Sequence, residues 1–320
     1  MTMSGNDPEM RGRPEKSSGE PRSNPGVPDW LLNPYLLLAI ASLCWSGNHI
    51  VGRAVADTVP PFGLSTARWL VPAVAILPFA WPHLRRDWPL LKTHWRIMLF
   101  FAILGGAVFS ALQYVALRYT TAVNVSVLNS LVPVYILAAG GILFRDPLAA
   151  RQVIGIAVSL GGVMVIIAQG NLAAIGALEF NWGDLLVVFN MAVWSVYSAC
   201  LRLRPRIHWL SFTFVIAAIS SVATLPFYVW EHLSGFPLQA TLPTILAILY
   251  VALFPSVVAL TSWNKGVELV GAARAGPFLH LVPLFSTLLA VFLLGEELRG
   301  FHIAGFVFIL LGVWIAARRG

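Results

Sequence analysis

Polar and aromatic side chains recur at helical spacing within two apolar segments of the sequence. One set contains Trp45, Asn48, His49 and Gly52. A second set of similar make-up contains Asn190, Trp194, Tyr197 and Ser198. Residues three, four and seven positions apart share one face of a helix. Two such faces can hold a small solute, because indole rings stack on apolar groups while amides and hydroxyls donate and accept hydrogen bonds.

Further polar side chains lie inside other apolar segments, where each is costly unless it faces a cavity or a partner. We therefore predict a shared cavity lined by Trp45, Asn48, His49, Gln113, Tyr114, Asn129, Trp194, Tyr197, Ser198, Trp263 and His280. Hydrogen bonding between helices is the alternative for Asn124, Ser126 and Ser198. A satisfied core environment is the alternative for the two histidines.

Arg68 stands about two turns inside its apolar segment, where a charge costs about 2.5–3.5 kcal/mol on insertion scales. We expect it to face water or backbone carbonyl groups near the cavity mouth, where a passing carboxylate is one candidate partner. Arg53 is nearer the interface and is expected to extend its guanidinium towards water. Interfacial positions are expected for Trp69, Trp81, Trp95, Trp209, Trp230 and Trp314.

The elements that position these side chains are predicted to be membrane helices. Of the 320 residues, 58% are apolar and 11% are charged, about half the ~25% charged residues of soluble domains. The mean hydropathy is +0.77, which argues against a soluble protein. Ten apolar segments of about 20 residues are predicted at 35–56, 62–81, 95–117, 122–144, 149–168, 184–203, 209–230, 242–263, 272–294 and 301–317. Residues 1–30, rich in Ser, Gly, Pro, Glu and Arg, are predicted to form a disordered cytoplasmic tail.

The positive charges follow the alternation that ten spans require. With a cytoplasmic amino terminus, 17 of the 21 Lys and Arg residues lie on the cytoplasmic side. The other four are Arg53, Arg68, Arg118 and Arg299. This bias agrees with the positive-inside rule and predicts that both termini are cytoplasmic.

Short sequence matches relate the two halves of the chain. Trp45-Ser46 recurs as Trp194-Ser195, Leu77-Pro78-Phe79 as Leu225-Pro226-Phe227, and Leu131-Val132-Pro133 as Leu281-Val282-Pro283. The offsets of 149, 148 and 150 residues extend to the pairs Gly155/Gly305 and Gly162/Gly312. Five spans in each half place the halves in opposite orientations, an inverted repeat typical of secondary transporters. We predict repeats at 31–168 and 184–320, joined by a linker at 169–183.

Residues at equivalent places in the two halves suggest moving parts. Pro133 and Pro283 are expected to act as hinges or mouth elements, although a proline kink can also be rigid. The small faces formed by Gly155, Gly162, Gly305 and Gly312 allow close helix contact. They predict either sliding surfaces or static packing.

With these repeats and Trp-Ser elements, the chain resembles the EamA-type members of the drug/metabolite transporter superfamily. It is most similar to the YddG-type exporters. The resemblance implies a multi-pass protein of the bacterial inner membrane, ten helices around a central cavity, and export of aromatic amino acids. Export of other neutral metabolites, or nucleotide-sugar-like import between compartments, is the alternative within transport.

Missing motifs narrow the mechanism. The sequence has no phosphate-binding G-x-x-x-x-G-K-[ST] loop, no H-E-x-x-H helix and no G-x-S-x-G elbow. We therefore expect no ATP-driven step, no catalytic residue, no cofactor, no metal and no nucleic-acid partner. No Asp or Glu is predicted at mid-membrane, which favours gradient-driven export of neutral or zwitterionic solutes. The alternatives are histidine-coupled proton exchange, a membrane enzyme and an inert scaffold. The exact substrate and the oligomeric state stay open.

Overall fold

The computed structural model describes residues 33–120, 125, 128–168, 181–294 and 299–318. Within these ranges the backbone forms helices and connecting turns, without a strand. The predicted tail, Asn124, Ser126 and residues 169–180 of the predicted linker lie outside the described residues. The all-helical class is therefore confirmed for the part of the chain that can be compared.

The helices in chain order are α1 (Pro34–Ala54), α2 (Pro61–Thr93), α3 (Trp95–Tyr119), α4 (Val132–Phe144), α5 (Ala150–Ile167), α6 (Trp182–Cys200), α7 (Trp209–Leu233), α8 (Leu242–Val270), α9 (Leu281–Leu294) and α10 (Gly300–Ala317). A helical turn at Ala272–Ala275 and a 3-10 turn at Gly276–His280 lead into α9. Among the described residues, eight helices are long and apolar enough to cross a membrane; α4 and α9 are shorter. The prediction of a multi-span membrane protein is confirmed, whereas the count of ten spans stays a prediction.

Capping side chains mark where several helices begin. The Asn33 side chain accepts hydrogen bonds from the amides of Tyr35 and Leu36, and Pro34 occupies the first turn, where its missing N–H costs nothing. Asn181 caps α6 by accepting from the Asp184 amide. The helix therefore begins two residues before the predicted start of the second repeat at 184.

Helix α2 is longer than the sequence pattern predicts. We predicted an end at residue 81, yet the helix continues to Thr93 through Pro82 and Pro89. The extension packs on the start of α7, where the Asp87 carboxylate accepts hydrogen bonds from the His208 amide and the Ser211 hydroxyl, each at 2.8 Å. These contacts join residues more than 120 positions apart, so the local pattern around residue 81 did not reveal them.

Two helices contain a π-helical segment at equivalent places in the two halves. The segment in α3 spans Ile103–Val108 and the segment in α8 spans Phe254–Ala259. Pro255 lacks the N–H of a regular ladder, which favours the irregularity in α8. Such segments are frequent at functional sites.

The matched prolines of α4 and α9 do not lie at a kink inside a helix. Pro133 is the second residue of α4 and Pro283 is the third residue of α9. A turn at residues 130–131 precedes α4, and the 3-10 turn precedes α9. Both prolines therefore lie in the first turn of a helix, where proline is well tolerated, rather than within a bend of a continuous helix.

Helices α5 and α10 pack backbone against backbone. A Cβ atom added to Gly155 would lie 2.6 Å from the Gly312 carbonyl oxygen, and one added to Gly162 would lie 2.6 Å from the Gly305 carbonyl oxygen. Only glycine fits at these crossings. The predicted small faces thus meet each other directly in this structure.

The bundle has two distinguishable ends. Arg86, Arg202, Arg204 and Arg206 line one end, here called the basic end. Contacts at Gly266 place Pro34 and Leu38 beside this same end of α8, and the Tyr35 hydroxyl donates to Ala317 O at 3.0 Å. At the opposite end, Arg53 Nη1 donates to Leu117 O at 2.9 Å. Helix α1 therefore begins, and α10 finishes, at the basic end.

Candidate functional site

A pocket lies between α1, α3 and α6, beside the starts of α4 and α9. Its volume is about 60 Å³. The lining residues are Trp45, Asn48, His49, Phe109, Gln113, Asn129, Ser130, Val132, Met191, Trp194, Leu279, Val282 and Pro283. Pockets for small molecules usually measure about 300–1,000 Å³, so this pocket is smaller than a typical small-molecule site.

Three tryptophans form the wall of the pocket towards the basic end. The ring centroids of Trp45 and Trp194 are 5.1 Å apart in an edge-to-face arrangement. Trp263 lies 5.6 Å from Trp45 and 5.9 Å from Trp194. The Trp45 indole donates to Pro255 O at 3.3 Å, within the π segment of α8. The cluster is therefore held both by ring packing and by the irregular backbone of a neighbouring helix.

Amide groups near the pocket are incompletely hydrogen-bonded. Asn190 Nδ2 donates to Gln113 Oε1 at 3.3 Å. Gln113 Nε2, Asn129 Nδ2 and Asn190 Oδ1 are buried and have no hydrogen-bond partner. A buried polar atom without a partner costs about 1–3 kcal/mol. The site thus holds unpaired donors and an acceptor suited to a polar solute.

Two matched tyrosine–asparagine hydrogen bonds flank the tryptophan cluster. The Tyr114 hydroxyl donates to Asn48 Oδ1 at 2.9 Å, which joins α3 to α1. The Tyr197 hydroxyl donates to Asn264 Oδ1 at 2.8 Å, which joins α6 to α8. Asn48 precedes Tyr197 by 149 positions and Tyr114 precedes Asn264 by 150. The two halves therefore carry the same bond with tyrosine and asparagine exchanged between helices.

A larger vestibule of about 870 Å³ opens at the basic end. Ser198 and Asn264 belong to its lining. The Trp263 indole donates to the Ser198 hydroxyl at 3.2 Å, beside the Tyr197–Asn264 bond. These four side chains form a partition between the vestibule and the pocket.

Ion pairs surround the vestibule. Arg202 binds the Asp146 carboxylate with both terminal nitrogens, and Arg204 pairs with Glu268 at 2.8 Å. The Arg202 hydrogen bond holds the pKa of the Asp146 carboxyl below its usual value. Burial lowers the pKa of His208, and the nearby His83 and Arg86 add to the effect.

Arg68 is buried behind the pocket wall. Its Nε donates to the Ser256 hydroxyl at 2.7 Å and its Nη1 donates to the Tyr114 hydroxyl at 3.2 Å. The guanidinium also lies 5.4 Å from the Trp69 ring centroid. We expected Arg68 to face water or carbonyl groups. The structure instead places it among hydroxyls and aromatic rings, because the π segment of α8 presents Ser256 to α2.

The predicted site residues divide into two groups. Six predicted cavity residues come together in the pocket, with Pro283 in its wall: Trp45, Asn48, His49, Gln113, Asn129 and Trp194. Tyr114, Tyr197, Ser198 and Trp263 lie in the walls through the hydrogen bonds described above. Pro133 instead packs beside Gly276, with its Cα 3.4 Å from a Cβ added there.

His280 lies outside the pocket, contrary to the predicted lining. Its Nδ1 is 2.5 Å from the Ser159 hydroxyl and its Nε2 is 2.6 Å from Ser130 O. Both ring nitrogens of His280 therefore have a hydrogen-bond partner in the core, which is the alternative given above for this residue.

The position predicted for Trp69 also needs correction. Its side chain is buried, not interfacial, and its indole donates to Gly106 O at 3.2 Å and to the Ser110 hydroxyl at 2.9 Å. The π segment of α3 supplies the carbonyl acceptor, a feature that the spacing of apolar residues does not reveal. Trp81 and Trp314 are each about half exposed, and their interfacial positions stay predictions.

Sequence reasoning missed several residues of the site. Asn264 could have been found, since the repeat offset relates it to Tyr114. Phe109, whose ring lies 4.7 Å from Trp194, and Met191 resembled ordinary apolar packing residues. No local signal distinguished Ser256 as a partner of Arg68.

Comparisons with known proteins agree with this architecture. The profile of the EamA-like transporter family matches residues 32–168 and 181–318. An uncharacterized transporter of Archaeoglobus fulgidus is 26% identical over 291 residues, which cover 89% of this chain and 97% of that protein. The uncharacterized transporter YyaM of Bacillus subtilis is 28% identical over 231 residues, covering 67% of this chain and 70% of that protein.

A relative with a more specific name also matches. A probable amino-acid metabolite efflux pump of Salmonella typhimurium is 25% identical over 189 residues, covering 57% of this chain and 62% of that protein. A solved crystal structure has a TM-score of 0.67 at 21% identity, covering 88% of this chain and 96% of that chain, and supports the fold alone. Since the family profile matches both halves, the protein belongs to the EamA-like transporter family, within the drug/metabolite transporter superfamily.

Proposed function

We propose that this transporter exports small metabolites, above all aromatic amino acids and related neutral or zwitterionic solutes, by alternating access to the pocket. The observation that carries the proposal is the pocket's composition. Indole rings of Trp45 and Trp194 lie beside unpaired amide groups of Gln113 and Asn129. Aromatic side chains stack on such rings, and polar backbone groups of an amino acid satisfy the amides.

The two tyrosine–asparagine bonds support an alternating mechanism. One stands on each side of the tryptophan cluster along the bundle axis, and each joins two helices of one half. Breaking the Tyr197–Asn264 bond would connect the pocket to the vestibule. Breaking the Asn48–Tyr114 bond would weaken the contact between α1 and α3 on the other side. The exchange of residues between the halves is the pattern expected of an inverted repeat with ten spans.

The charges support the proposed orientation and substrate class. The vestibule at the basic end is lined by Arg86, Arg202, Arg204 and Arg206, as expected of the cytoplasmic side of the inner membrane. The described pocket lining includes no carboxylate to attract a cation. Solute would enter from the vestibule and leave at the opposite end, without a cofactor.

The amino-acid metabolite efflux pump among the relatives favours amino acids over other metabolites. The test is uptake of radiolabelled phenylalanine, tryptophan, leucine and lysine into liposomes that contain the purified protein, with and without a pH gradient. We expect protein-dependent flux of phenylalanine and tryptophan down their gradients, and little flux of lysine.

The same assay separates the remaining possibilities. Flux that requires a pH gradient would identify proton exchange, with His49 as the pocket residue to test. Flux confined to other metabolites would contradict the aromatic assignment. An absence of flux for any solute would contradict transport and favour an enzyme or a scaffold.

A further inference from the structure

Arg68 is a buried cation for which the described residues provide no anionic partner. The residue is 2% exposed. Its two hydrogen-bond acceptors, the hydroxyls of Ser256 and Tyr114, are neutral. Its Nη2 atom has no hydrogen bond to any described residue. A charge removed from water is costly unless an opposite charge compensates it, so this guanidinium retains a strong capacity to bind an anion.

Two buried carboxylates at the same end of the bundle bind other groups. Glu231 accepts hydrogen bonds from the backbone amides of Phe62 and Gly63 at 2.9 and 3.0 Å, at the start of α2. Asp184 accepts from the Asn181 amide at 2.7 Å and from the Thr120 hydroxyl. Neither pairs with Arg68.

Aromatic rings hold the guanidinium without neutralising it. Its central carbon lies 5.4 Å from the Trp69 ring centroid and 5.9 Å from the Tyr114 ring centroid. Rings at this range attract a cation, yet they carry no net charge. The Ser256 hydroxyl donates its own proton to Val251 O at 2.7 Å, which leaves its lone pairs for Arg68 Nε. These contacts therefore fix the guanidinium in place without supplying an opposite charge.

A single hydrogen-bonded pair separates this cation from the pocket. The Tyr114 hydroxyl accepts from Arg68 and donates to Asn48 Oδ1, and Asn48 lines the pocket. Trp45, another lining residue, donates to Pro255 O, next to Ser256 in the same π segment. Movement of the Tyr114 side chain away from Asn48 would bring the guanidinium within reach of a solute in the pocket.

We propose that Arg68 binds the carboxylate of the transported solute once the Asn48–Tyr114 bond opens, and that it thereby selects carboxylate-bearing substrates. Arginine forms short, bidentate, charge-assisted hydrogen bonds with carboxylates. The inference rests on the proposed function, to which it adds the chemical group recognised. The aromatic ring of the solute then stays with the tryptophan cluster while its carboxylate turns towards α2.

The first test compares phenylalanine with phenylalanine amide, which lacks the negative charge, as substrates in liposomes. Wild-type protein is expected to carry phenylalanine with a kcat/KM about tenfold to a hundredfold above that of the amide. Arg68→Gln should lose this preference mainly through the KM for phenylalanine, and Arg68→Lys should retain part of it. Arg53→Gln is the matched control, because Arg53 is exposed and its side chain donates to Leu117 O.

Two results of that test would overturn the proposal. One is equal transport of acid and amide by wild-type protein, which needs no variant and leaves the proposed function intact. The other is an unchanged preference in folded Arg68→Gln protein.

A second test does not depend on transport. Phenylacetate, phenylacetamide and sodium chloride are each added to purified wild-type and Arg68→Gln protein, and the shift in Tm is measured. We expect phenylacetate to raise the Tm of wild-type protein but not of Arg68→Gln protein, and the other two compounds to raise neither. If phenylacetate has this effect but phenylalanine is not transported, the proposed function fails and the carboxylate site stands. Equal stabilisation by phenylacetamide, or by chloride, would contradict a site for the solute's carboxylate.

Discussion

The hydroxyl of Tyr197 donates to Asn264 across α6 and α8, and its counterpart in the other half is the bond from Tyr114 to Asn48. In each half the tyrosine and the asparagine occupy exchanged helices. The bonds stand on either side of the Trp45, Trp194 and Trp263 cluster. We interpret them as the two closures whose alternate opening exposes the pocket.

Removing the hydroxyl of Tyr197 and removing the hydroxyl of Tyr114 should open opposite ends of the pocket. A net loss of about 1 kcal/mol for one buried hydrogen bond changes the equilibrium about fivefold. A Gln113→Cys probe in the pocket, in a background without Cys44 and Cys200, reports access by an impermeant thiol reagent. Tyr197→Phe should increase labelling from the basic end, and Tyr114→Phe from the opposite end. Increases from the same end in both variants would contradict this assignment.

The pocket tryptophans should matter more for transport than exposed tryptophans do. Trp194 contacts the rings of Trp45, Phe109 and Tyr197. We expect Trp194→Ala to reduce phenylalanine uptake about tenfold, the upper range of an aromatic contact. Trp314→Ala is the control, since this side chain is 51% exposed. Uptake is normalised to the folded fraction measured by size-exclusion chromatography. Similar losses of uptake in both variants would contradict the assignment of the pocket as the solute site.

The glycine crossing between α5 and α10 predicts a difference between adjacent residues. A Cβ added to Gly162 would lie 2.6 Å from Gly305 O and 2.8 Å from Ile309 N, both rigid backbone atoms, whereas one added to Gly161 would meet nothing within 4 Å. We expect Gly162→Val to destabilise the protein by about 1–3 kcal/mol. Thermal unfolding in detergent should show a lower Tm for Gly162→Val and an unchanged Tm for Gly161→Val. Equal Tm values would disprove the close backbone contact.

The Asp146–Arg202 pair predicts a pH-dependent contribution to stability. Because Arg202 lowers the pKa of the folded Asp146 carboxyl, the stabilisation is fully present above the unfolded pKa of about 3.9. It is lost as the pH falls through the lower folded pKa. Both side chains are partly exposed, so the contribution is about 1 kcal/mol or less.

The measurement is the Tm of wild-type and Asp146→Asn protein at intervals of about half a pH unit between pH 3 and pH 7. The variant should unfold at a lower temperature near neutral pH, and the difference should shrink as the pH falls towards 3. Asp57→Asn serves as the control, because Asp57 is exposed and pairs with no described cation. A difference that grows as the pH falls would have the wrong sign for this ion pair.

Local sequence patterns predicted the membrane helices and part of the pocket. Helical spacing brought Trp45, Asn48 and His49 to one face, because neighbouring turns of a helix fix that geometry. The repeat offset related Trp45 to Trp194. The same offset applied to Tyr114 would have identified Asn264.

Other features depended on contacts between distant segments. Arg68 and Ser256 are 188 positions apart and meet only because α8 contains a π segment. The extension of α2 beyond residue 81 depends on contacts of Asp87 with the start of α7. His280 has a polar side chain at a helical position, yet its partners come from distant segments, Ser130 from the turn before α4 and Ser159 from α5. Its separation from the pocket therefore could not be read from its own neighbours.

The most direct test of alternating access uses Gln113→Cys with both tyrosines intact. An impermeant thiol reagent is applied from each side of vesicles of known orientation, with and without phenylalanine. The account predicts that the probe is labelled from both sides and that phenylalanine slows both reactions. Labelling from one side only, or labelling rates that phenylalanine does not change, would contradict a solute site that opens alternately at the two ends of the bundle.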